Sequence, residues 1–178
     1  MDSIPPRKDD DVYRFPGMGK VFCPLISALP GGSRSDTIFT MLIVVDTNVF
    51  IGACLGTGAS NAVVAACLQG EHIPLMGTAL LTEYEDVLGR TELFRKCRLS
   101  AVEREELLDI FLAACSWTRI YFGWRPNLPD EGDNHLVELA VAGGATRIVT
   151  HNLRDLQGKE LKFPELVAVT PEHFLKEV

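Results

Sequence analysis

Asp46 ends an apolar stretch of the chain, and its position suggests a chemical role. Residues 42–45 are Leu-Ile-Val-Val, a run typical of a strand buried on both faces of a parallel sheet. The Asp46 carboxylate then falls just beyond the carboxyl end of that strand, where ligands gather in open α/β sheets, and we expect it to reach solvent there. An acidic metal site and a simple helix N-cap both remain open, because Asp is a favoured cap residue.

A glutamate beside the apolar stripe of a predicted helix is a second candidate. Residues 78–89 are predicted to form this helix, with Thr78 as its N-cap and Leu, Tyr and Val side chains along one face. Glu83 flanks that stripe on one side and Glu85 on the other, so periodicity alone leaves both open. A solvated helix flank is the ordinary role for either side chain.

Two further polar residues complete the set of candidates. Asp133 lies in a helix predicted at residues 132–142, in line with its apolar face. A carboxylate there costs desolvation energy unless the helix N-terminus, as a cap, or a metal ion satisfies it, and we favour the metal. Asn152 follows a strand predicted at residues 147–150 and so occupies the same sheet edge as Asp46, although Asn is also a common turn residue.

Carboxylates brought together in this way repel one another. Two of them at ~4 Å repel by roughly 4 kcal/mol at an effective dielectric constant of ~20. A hard divalent cation relieves that repulsion, and Mg²⁺ and Mn²⁺ prefer oxygen ligands. Such an ion can also bind phosphate oxygens and activate water for phosphodiester hydrolysis.

The charge of the chain is unevenly placed. The net charge of −7 is unusual for a protein that acts by non-specific phosphate contacts. Basic residues nevertheless cluster in one stretch, where they could steer a nucleic-acid backbone towards an acidic site. A solvated helix-loop surface is the simpler interpretation, and both stay open. The cluster comprises Arg90, Arg95, Lys96, Arg98 and Arg104.

Composition argues against several other classes. No apolar run is long enough to span a bilayer, and the first residues lack the apolar core of a secretory signal, so we expect a cytoplasmic protein. The five cysteines are odd in number and form no Cys-x-x-Cys pair, which argues against a disulfide framework or a zinc site. The sequence around Cys54, Cys67 and Cys115 is apolar, and we expect these three to be small buried residues.

The elements that must position these residues alternate along the chain. Residues 1–40 contain Pro, Gly and Asp clusters without periodicity, which predicts a disordered tail, and Met41 is a candidate translation start. Residues 41–178 are predicted to form one domain, a three-layer α/β/α fold with a central parallel sheet. Strands are predicted at 42–45, 73–76, 118–122, 147–150 and 167–169, helices at 47–55, 59–69, 78–89, 91–97, 100–115, 132–142 and from Pro171, and a loop at 125–131.

Four segments together resemble a PIN domain. They are Val-Asp-Thr-Asn-Val-Phe at 45–50, Glu83 on its helix, Pro-Asp-Glu-Gly-Asp-Asn-His at 129–135 and Val-Thr-His-Asn-Leu-Arg-Asp-Leu at 149–156. One of these motifs alone would be weak, but four in order on an alternating α/β chain are specific. The likeness covers about residues 41–176 and is greatest to the bacterial PIN proteins regarded as toxins of VapBC-like toxin–antitoxin systems.

The resemblance implies a function and partners. It implies an Mg²⁺- or Mn²⁺-dependent endoribonuclease that hydrolyses RNA phosphodiester bonds. It further implies a toxin held inactive by a cognate antitoxin protein, and a homodimer. The basic residues Arg90, Arg95, Lys96 and Arg98 are then assigned to binding the RNA backbone.

The resemblance also assigns site residues. Asp46, Glu83 and Asp133 match the catalytic, metal-binding acidic positions, so the likeness selects Glu83 over Glu85. Asn152 falls on a fourth metal-binding position where many relatives have Asp, and it supplies an oxygen without a charge. The residues that match polar, site-orienting positions are Thr47, Asn48 and Thr150.

The sequence offers two alternatives to a ribonuclease. The same fold can serve as a non-catalytic RNA-binding or protein-binding module, which Asn152 and the negative net charge favour slightly. A phosphatase with Asp46 as nucleophile usually carries a second acid two residues on, and that position here is Asn48.

Overall fold

Five parallel strands form the central sheet. Its order is β5-β4-β3-β6-β7, and every neighbouring pair within it runs parallel. A separate antiparallel pair, β1 and β2, lies earlier in the chain. In chain order the strands are β1 (Val12–Phe15), β2 (Gly19–Phe22), β3 (Leu42–Val45), β4 (Ile73–Met76), β5 (Ser116–Trp117), β6 (Arg147–Val149) and β7 (Val167–Val169).

Helices cover the sheet. The computed structural model describes residues 12–15, 19–22, 40–56, 58–121, 123, 128, 131–156 and 163–178. Helix α5 packs on β3, β4 and β6, and α4 packs on β4, which confirms the predicted three-layer α/β/α class. The helices are α1 (Thr47–Leu55), α2 (Ala59–Leu68), α3 (Thr78–Leu88), α4 (Ala101–Ala114), α5 (Asn134–Gly143) and α6 (Pro171–Glu177), with 3₁₀ turns at Thr91–Phe94 and Glu131–Asp133.

The strand order creates a switch point beside β3. From β3 the chain adds β4 and β5 on one side and later β6 and β7 on the other. In open α/β sheets, ligands bind outside the carboxyl ends of the strands that flank such a reversal. Asp46 directly follows β3 and Thr150 directly follows β6, so the fold places both residues at that point.

An aromatic cluster fixes three helices against the sheet. Phe50 of α1, Tyr84 of α3 and Phe111 of α4 are at most 1% exposed, and their ring centroids lie 5.0–6.1 Å apart. The Tyr84 hydroxyl donates to the Val45 carbonyl oxygen at 2.9 Å. This bond ties α3 to the end of β3 and brings the neighbouring residue Glu83 towards Asp46.

Gly143 and Gly144 set how α5 meets the sheet. A Cβ on Gly143 would lie 2.2 Å from Leu75 Cδ1, so only glycine permits this close approach of helix to strand. Gly144 ends α5 in the left-handed region, with φ +71°.

Several predicted elements differ from the observed ones. Residues 91–97 form one 3₁₀ turn rather than a helix, with Phe94 buried under the Arg104 guanidinium. The strand predicted at 118–122 lies at Ser116–Trp117, because β5 is at the edge of the described sheet and its partner there, β4, ends at Met76. Residue 122 lies outside the described residues.

Two helices start at other residues than predicted. Gly77, not Thr78, is the N-cap of α3. Helix α5 starts at Asn134 after a 3₁₀ turn, two residues later than predicted.

The predicted tail contains regular structure that periodicity did not reveal. Strands β1 and β2 form an antiparallel hairpin, and β2 contacts α2. The rest of residues 1–39, and most of the loop predicted at 125–131, lie outside the described residues. The domain boundary at Met41 therefore stays a prediction.

Two expectations from composition concern membranes and cysteines. In the part of the chain that the structure describes, no single helix is long and apolar enough to cross a membrane; only the bent pair α1 and α2, taken together, meets that criterion. Cys54 and Cys67 are buried free thiols, as predicted, and burial raises the pKa of each to about 12. Cys115 is only half-buried.

Candidate active site at the carboxyl edge of the sheet

The Asp46 carboxylate is held by three hydrogen bonds. Its Oδ2 accepts from the Thr150 hydroxyl at 2.6 Å and from Asn48 Nδ2 at 2.7 Å. Its Oδ1 accepts weakly from the Asn48 backbone N–H at 3.4 Å, which makes Asp46 the N-cap of α1. The helix N-cap, one of the two roles that the sequence left open for Asp46, is therefore observed, and the acidic metal site stays a prediction.

Asp46 is more enclosed than predicted. We expected the side chain to reach solvent, but only 8% of the residue is exposed, because the strand end is covered by the helices that follow. Burial raises the pKa of this carboxyl, and the negative charge of Glu83 adds to the rise. The hydrogen bonds from Thr150 and Asn48 act in the opposite direction by stabilising the charged form.

Asn48 and Thr150 connect the two strand ends. Asn48 Nδ2 also donates to Thr150 Oγ1 at 3.1 Å, and its Oδ1 accepts from the His151 backbone N–H at 3.1 Å. Thr150 is fully buried. These bonds hold Asp46 in one orientation. The site-orienting role that the likeness implied for Asn48 and Thr150 stays a prediction.

Glu83 faces His135, a residue that the sequence did not single out. His135 Nε2 lies 3.0 Å from Glu83 Oε2, so the two side chains form an ion pair when the imidazole ring is protonated. His135 Nδ1 donates to the Gly132 carbonyl oxygen at 2.6 Å. Because both ring nitrogens face acceptors, the geometry favours the doubly protonated, cationic ring.

The pKa values of this pair shift in the directions expected for an ion pair. Burial alone would lower the pKa of His135, but Glu83, the Gly132 carbonyl and the charge of Asp133 together outweigh burial and raise it. His135, helped by Thr47 and Arg90, lowers the pKa of Glu83 against the effect of burial. The sequence pattern offered no sign of this pair, because residues 83 and 135 meet only through the packing of α3 on α5.

The other two predicted ligands lie at the margin of this group. Asp133 is half-buried and close enough to influence the pKa of His135. Asn152 is exposed; its backbone N–H donates to Thr150 Oγ1 at 2.9 Å, and its side-chain amide donates to the Asp155 carboxylate. Glu85 is exposed on α3, away from Asp46.

The donor set suits a hard divalent cation only in part. Among the residues that the structure describes, no three His, Cys, Asp or Glu side chains are grouped to hold a metal ion. Asp46 and Glu83 nevertheless interact as like charges. Thr47 Oγ1 is buried without a well-formed hydrogen bond, although it helps lower the pKa of Glu83. Mg²⁺ commonly binds through one or two carboxylates while keeping several waters, which fits this oxygen-only pair.

The predicted basic cluster separates into different roles. Arg104 is 7% exposed, donates to the Leu99 carbonyl oxygen at 3.0 Å and covers the Phe94 ring, so its contacts are structural. Arg90 pairs with Asp86, and Arg95 pairs with Glu92. The two remaining cations, Lys96 and Arg98, are exposed.

The fold and the site define a class of protein. A parallel sheet covered by helices carries the buried Asp46 at its switch point, and Glu83 of α3 lies near enough to Asp46 for their charges to interact. The chain matches the PIN domain family over residues 42–154, and it therefore belongs to that family, whose members are generally nucleases.

A solved structure is also similar to this chain. It is VapBC2 from Rickettsia felis bound to a DNA fragment from its promoter. The identity is 14%, the match covers 73% of this chain and 98% of that chain, and the TM-score is 0.49. No curated protein matches the chain.

Proposed function

We propose that this protein is a metal-dependent endoribonuclease that hydrolyses RNA phosphodiester bonds. The observation that carries the proposal is the Asp46 carboxylate, buried at the switch point, oriented by Thr150 and Asn48, and close enough to Glu83 for the two charges to interact. Keeping two coupled carboxylates at an enclosed sheet edge is costly, and a divalent cation offsets that cost. Membership of the PIN family supports nuclease chemistry at this site.

Each residue has a proposed role. Asp46 and Glu83 would hold Mg²⁺ or Mn²⁺, with Asp133 and Asn152 as further oxygen donors at the margin. When bound, the ion supplies Lewis-acid activation of water and neutralises phosphate charge. Thr150, Asn48 and Thr47 fix the carboxylates, and His135 balances the charge of Glu83 from the protein side.

The biological setting is part of the proposal. The motifs at 45–50, 129–135 and 149–156 support a toxin of a toxin–antitoxin pair, with a cognate antitoxin as partner and a homodimer as the assembly. Exposed Lys96 and Arg98, together with the paired Arg90 and Arg95, are proposed to contact the RNA backbone.

A non-catalytic RNA-binding or protein-binding module is the second candidate. One observation favours it: the fourth metal-binding position of the family is Asn152, and its amide is already occupied by Asp155. The two functions differ in one measurement, which is metal-dependent cleavage by the purified protein.

Asp46→Asn tests the proposed active site. We expect cleavage of single-stranded RNA in Mg²⁺ or Mn²⁺ to fall by about 10²-fold or more, because the amide removes the charge at the centre of the site. The melting temperature should not fall, since burial already disfavours the charged carboxylate.

The matched control is Asp109→Asn, which makes the same change at an exposed carboxylate on α4. It should leave cleavage unchanged. Full cleavage by Asp46→Asn at saturating metal would exclude this site, and a wild-type protein that binds RNA without cutting it would favour the second candidate.

A further inference from the structure

A second cleft lies at the same edge of the sheet, on the β5 side of the acidic residues. Its volume is about 590 Å³. The first turn of α3, the segment that follows β5, and Glu138 of α5 form its walls. Because β5 neighbours β4 and β4 neighbours β3, the cleft and Asp46 share the carboxyl edge of one sheet.

The cleft is lined by aromatic side chains that the fold leaves in solvent. Tyr121 is 77% exposed and Trp117 is 56% exposed, so neither contributes much to the core. Arg119, also exposed, lies between them in the sequence and lines the same cleft. Two rings and a guanidinium on one open surface are unexplained by packing, and such surfaces commonly mark a binding site.

The walls of the cleft are one helical turn from the acidic centre. Ala79 precedes Glu83 by four residues on α3, and Glu138 follows His135 by three residues on α5. Residues at these separations lie on the same helix face, about one pitch of 5.4 Å apart. Since Glu83 and His135 contact each other, the cleft opens directly beside that pair.

We propose that this cleft binds a nucleotide adjacent to the scissile phosphate of single-stranded RNA. Tyr121 and Trp117 provide the faces on which a base stacks, and Arg119 provides the cation for its phosphate. This inference rests on the proposed nuclease function and extends it by assigning a base-binding subsite to the cleft beside the acidic residues. Proteins that bind single strands combine such a cation with aromatic platforms, and stacking tolerates any base sequence.

The nature of the cleft favours RNA over a protein segment as its occupant. A purely apolar peptide would match only half of the lining, because Arg119, Thr78, Thr118 and Glu138 lie beside the rings. A base offers a flat face for the rings and polar edges for these groups. Glu138, which is 5% exposed, forms part of the polar wall of the cleft.

Binding without cleavage tests the proposal. The affinity of the full chain for a short single-stranded RNA would be measured by fluorescence anisotropy in EDTA, where metal chemistry is absent. Tyr121→Ala and Trp117→Ala should each weaken binding about 5- to 150-fold, the range of base–aromatic stacking. The control, Val102→Ala, trims a 62% exposed side chain on α4 and should leave the affinity unchanged.

An abasic scan locates the contact. Removing one base at a time from the oligonucleotide should weaken binding to the wild type at one or two positions, and Tyr121→Ala should abolish that position dependence. Unchanged affinity in both aromatic variants, or an abasic profile that is the same in Tyr121→Ala as in the wild type, would overturn the inference.

The outcomes also separate this inference from the nuclease proposal. If the wild type cleaves RNA but the aromatic variants bind and cleave normally, the nuclease stands and the cleft is excluded. If the wild type never cleaves yet binding depends on Tyr121 and Trp117, the cleft stands as a base-binding site, whereas the nuclease and the placement beside a scissile phosphate are both excluded. Loss of binding to a protein partner with unchanged RNA affinity would assign the cleft to that partner and overturn the inference.

Discussion

Asp46 illustrates how single residues acquire their properties in this protein. Alone, a carboxylate 8% exposed would be driven towards its neutral form, since burial penalises charge. The Thr150 hydroxyl and the Asn48 amide offset part of that penalty by donating to one oxygen, although the pKa of the carboxyl stays raised. The same carboxylate caps α1, so the start of a helix and the proposed centre of catalysis depend on one side chain.

Asn152→Asp tests the fourth metal-binding position at the residue scale. Asn152 donates to Asp155, so an aspartate there would place two carboxylates in contact. Without metal the variant should melt slightly lower than the wild type, because like charges repel at this exposed site. With Mn²⁺ or Mg²⁺ the melting temperature should rise more than in the wild type, since the added charge binds metal more tightly.

The control for this prediction is the double variant Asn152→Asp with Asp155→Asn. It restores an amide–carboxylate pair with the partners exchanged, so the metal-free loss should disappear while the added ligand remains. Equal thermal shifts on metal addition in the wild type and both variants would place Asn152 outside the site.

At the scale of elements, α3 connects the parts of the site. Its first turn lines the aromatic cleft, Glu83 lies in its middle, and Tyr84 bonds it to the end of β3. Arg90 lies just past its carboxyl end and lowers the pKa of Glu83. Helix α3 therefore runs from the cleft, past Asp46 and Glu83, to the basic segment at residues 90–98. We propose that the RNA follows this path.

The charges of the basic segment should affect how strongly the protein binds RNA and how that binding depends on salt. Arg90 and Arg95 have acidic partners, whereas exposed Lys96 and Arg98 make no ion pair among the described residues. Lys96→Glu combined with Arg98→Glu should weaken RNA binding and reduce the slope of log affinity against log salt by about one to two. Lys176→Glu on α6 is a control for a reversed charge away from this segment, and it should have little effect.

The outcome that would contradict this prediction is an unchanged RNA affinity of the double variant at low salt. Lys96 and Arg98 would then belong to an ordinary solvated surface.

His72, just before β4, should make the stability of the protein depend on pH. His72 is 3% exposed, packs edge-on against Phe174, and has its Nδ1 without a hydrogen-bond partner among the described residues. Burial lowers the pKa of His72, so below pH ~6.5 the unfolded chain takes up a proton that the folded protein resists. Stability from this residue is thus present above pH ~6.5 and lost as the pH falls towards the lowered folded value.

His72→Phe should remove that dependence. The free energy of unfolding in urea should fall less between pH 7 and pH 5.5 in the variant than in the wild type. The other histidines are the same in both proteins, so the difference isolates His72. Equal declines in the two proteins would show that His72 does not resist protonation in the fold.

At the scale of the whole molecule, the described core lies after Met41. The described members of the buried hydrophobic cluster belong to residues 43–174. A chain that begins at Met41 should therefore melt within about 4 °C of the full chain, a shift of roughly 1 kcal/mol.

Circular dichroism of both chains measures this directly. The contact of β2 with α2 is the feature that could make the prediction fail. A drop of many degrees would show that the hairpin stabilises the domain and that the predicted boundary at Met41 is wrong.

Local sequence determined the elements and their order. Apolar runs fixed β3 and β4 at the residues predicted, the Ser100–Glu103 capping box started α4, and Pro171 opened α6. These features depend on neighbours within a few residues, so the pattern alone carries them. The alternation of strands and helices likewise determined the parallel sheet, and hence that Asp46 and Asn152 would share an edge.

Tertiary packing decided what each candidate contacts. Periodicity could not choose Glu83 over Glu85; the bond of Tyr84 to Val45 turns Glu83 towards the site and leaves Glu85 in solvent. His135 meets Glu83 only because α5 packs on α3, and Arg104 is buried only because Phe94 folds under it. Such contacts join residues that are distant in sequence or lie on separate elements, so no local pattern encodes them. The burial that stabilises these contacts exists only in the folded chain.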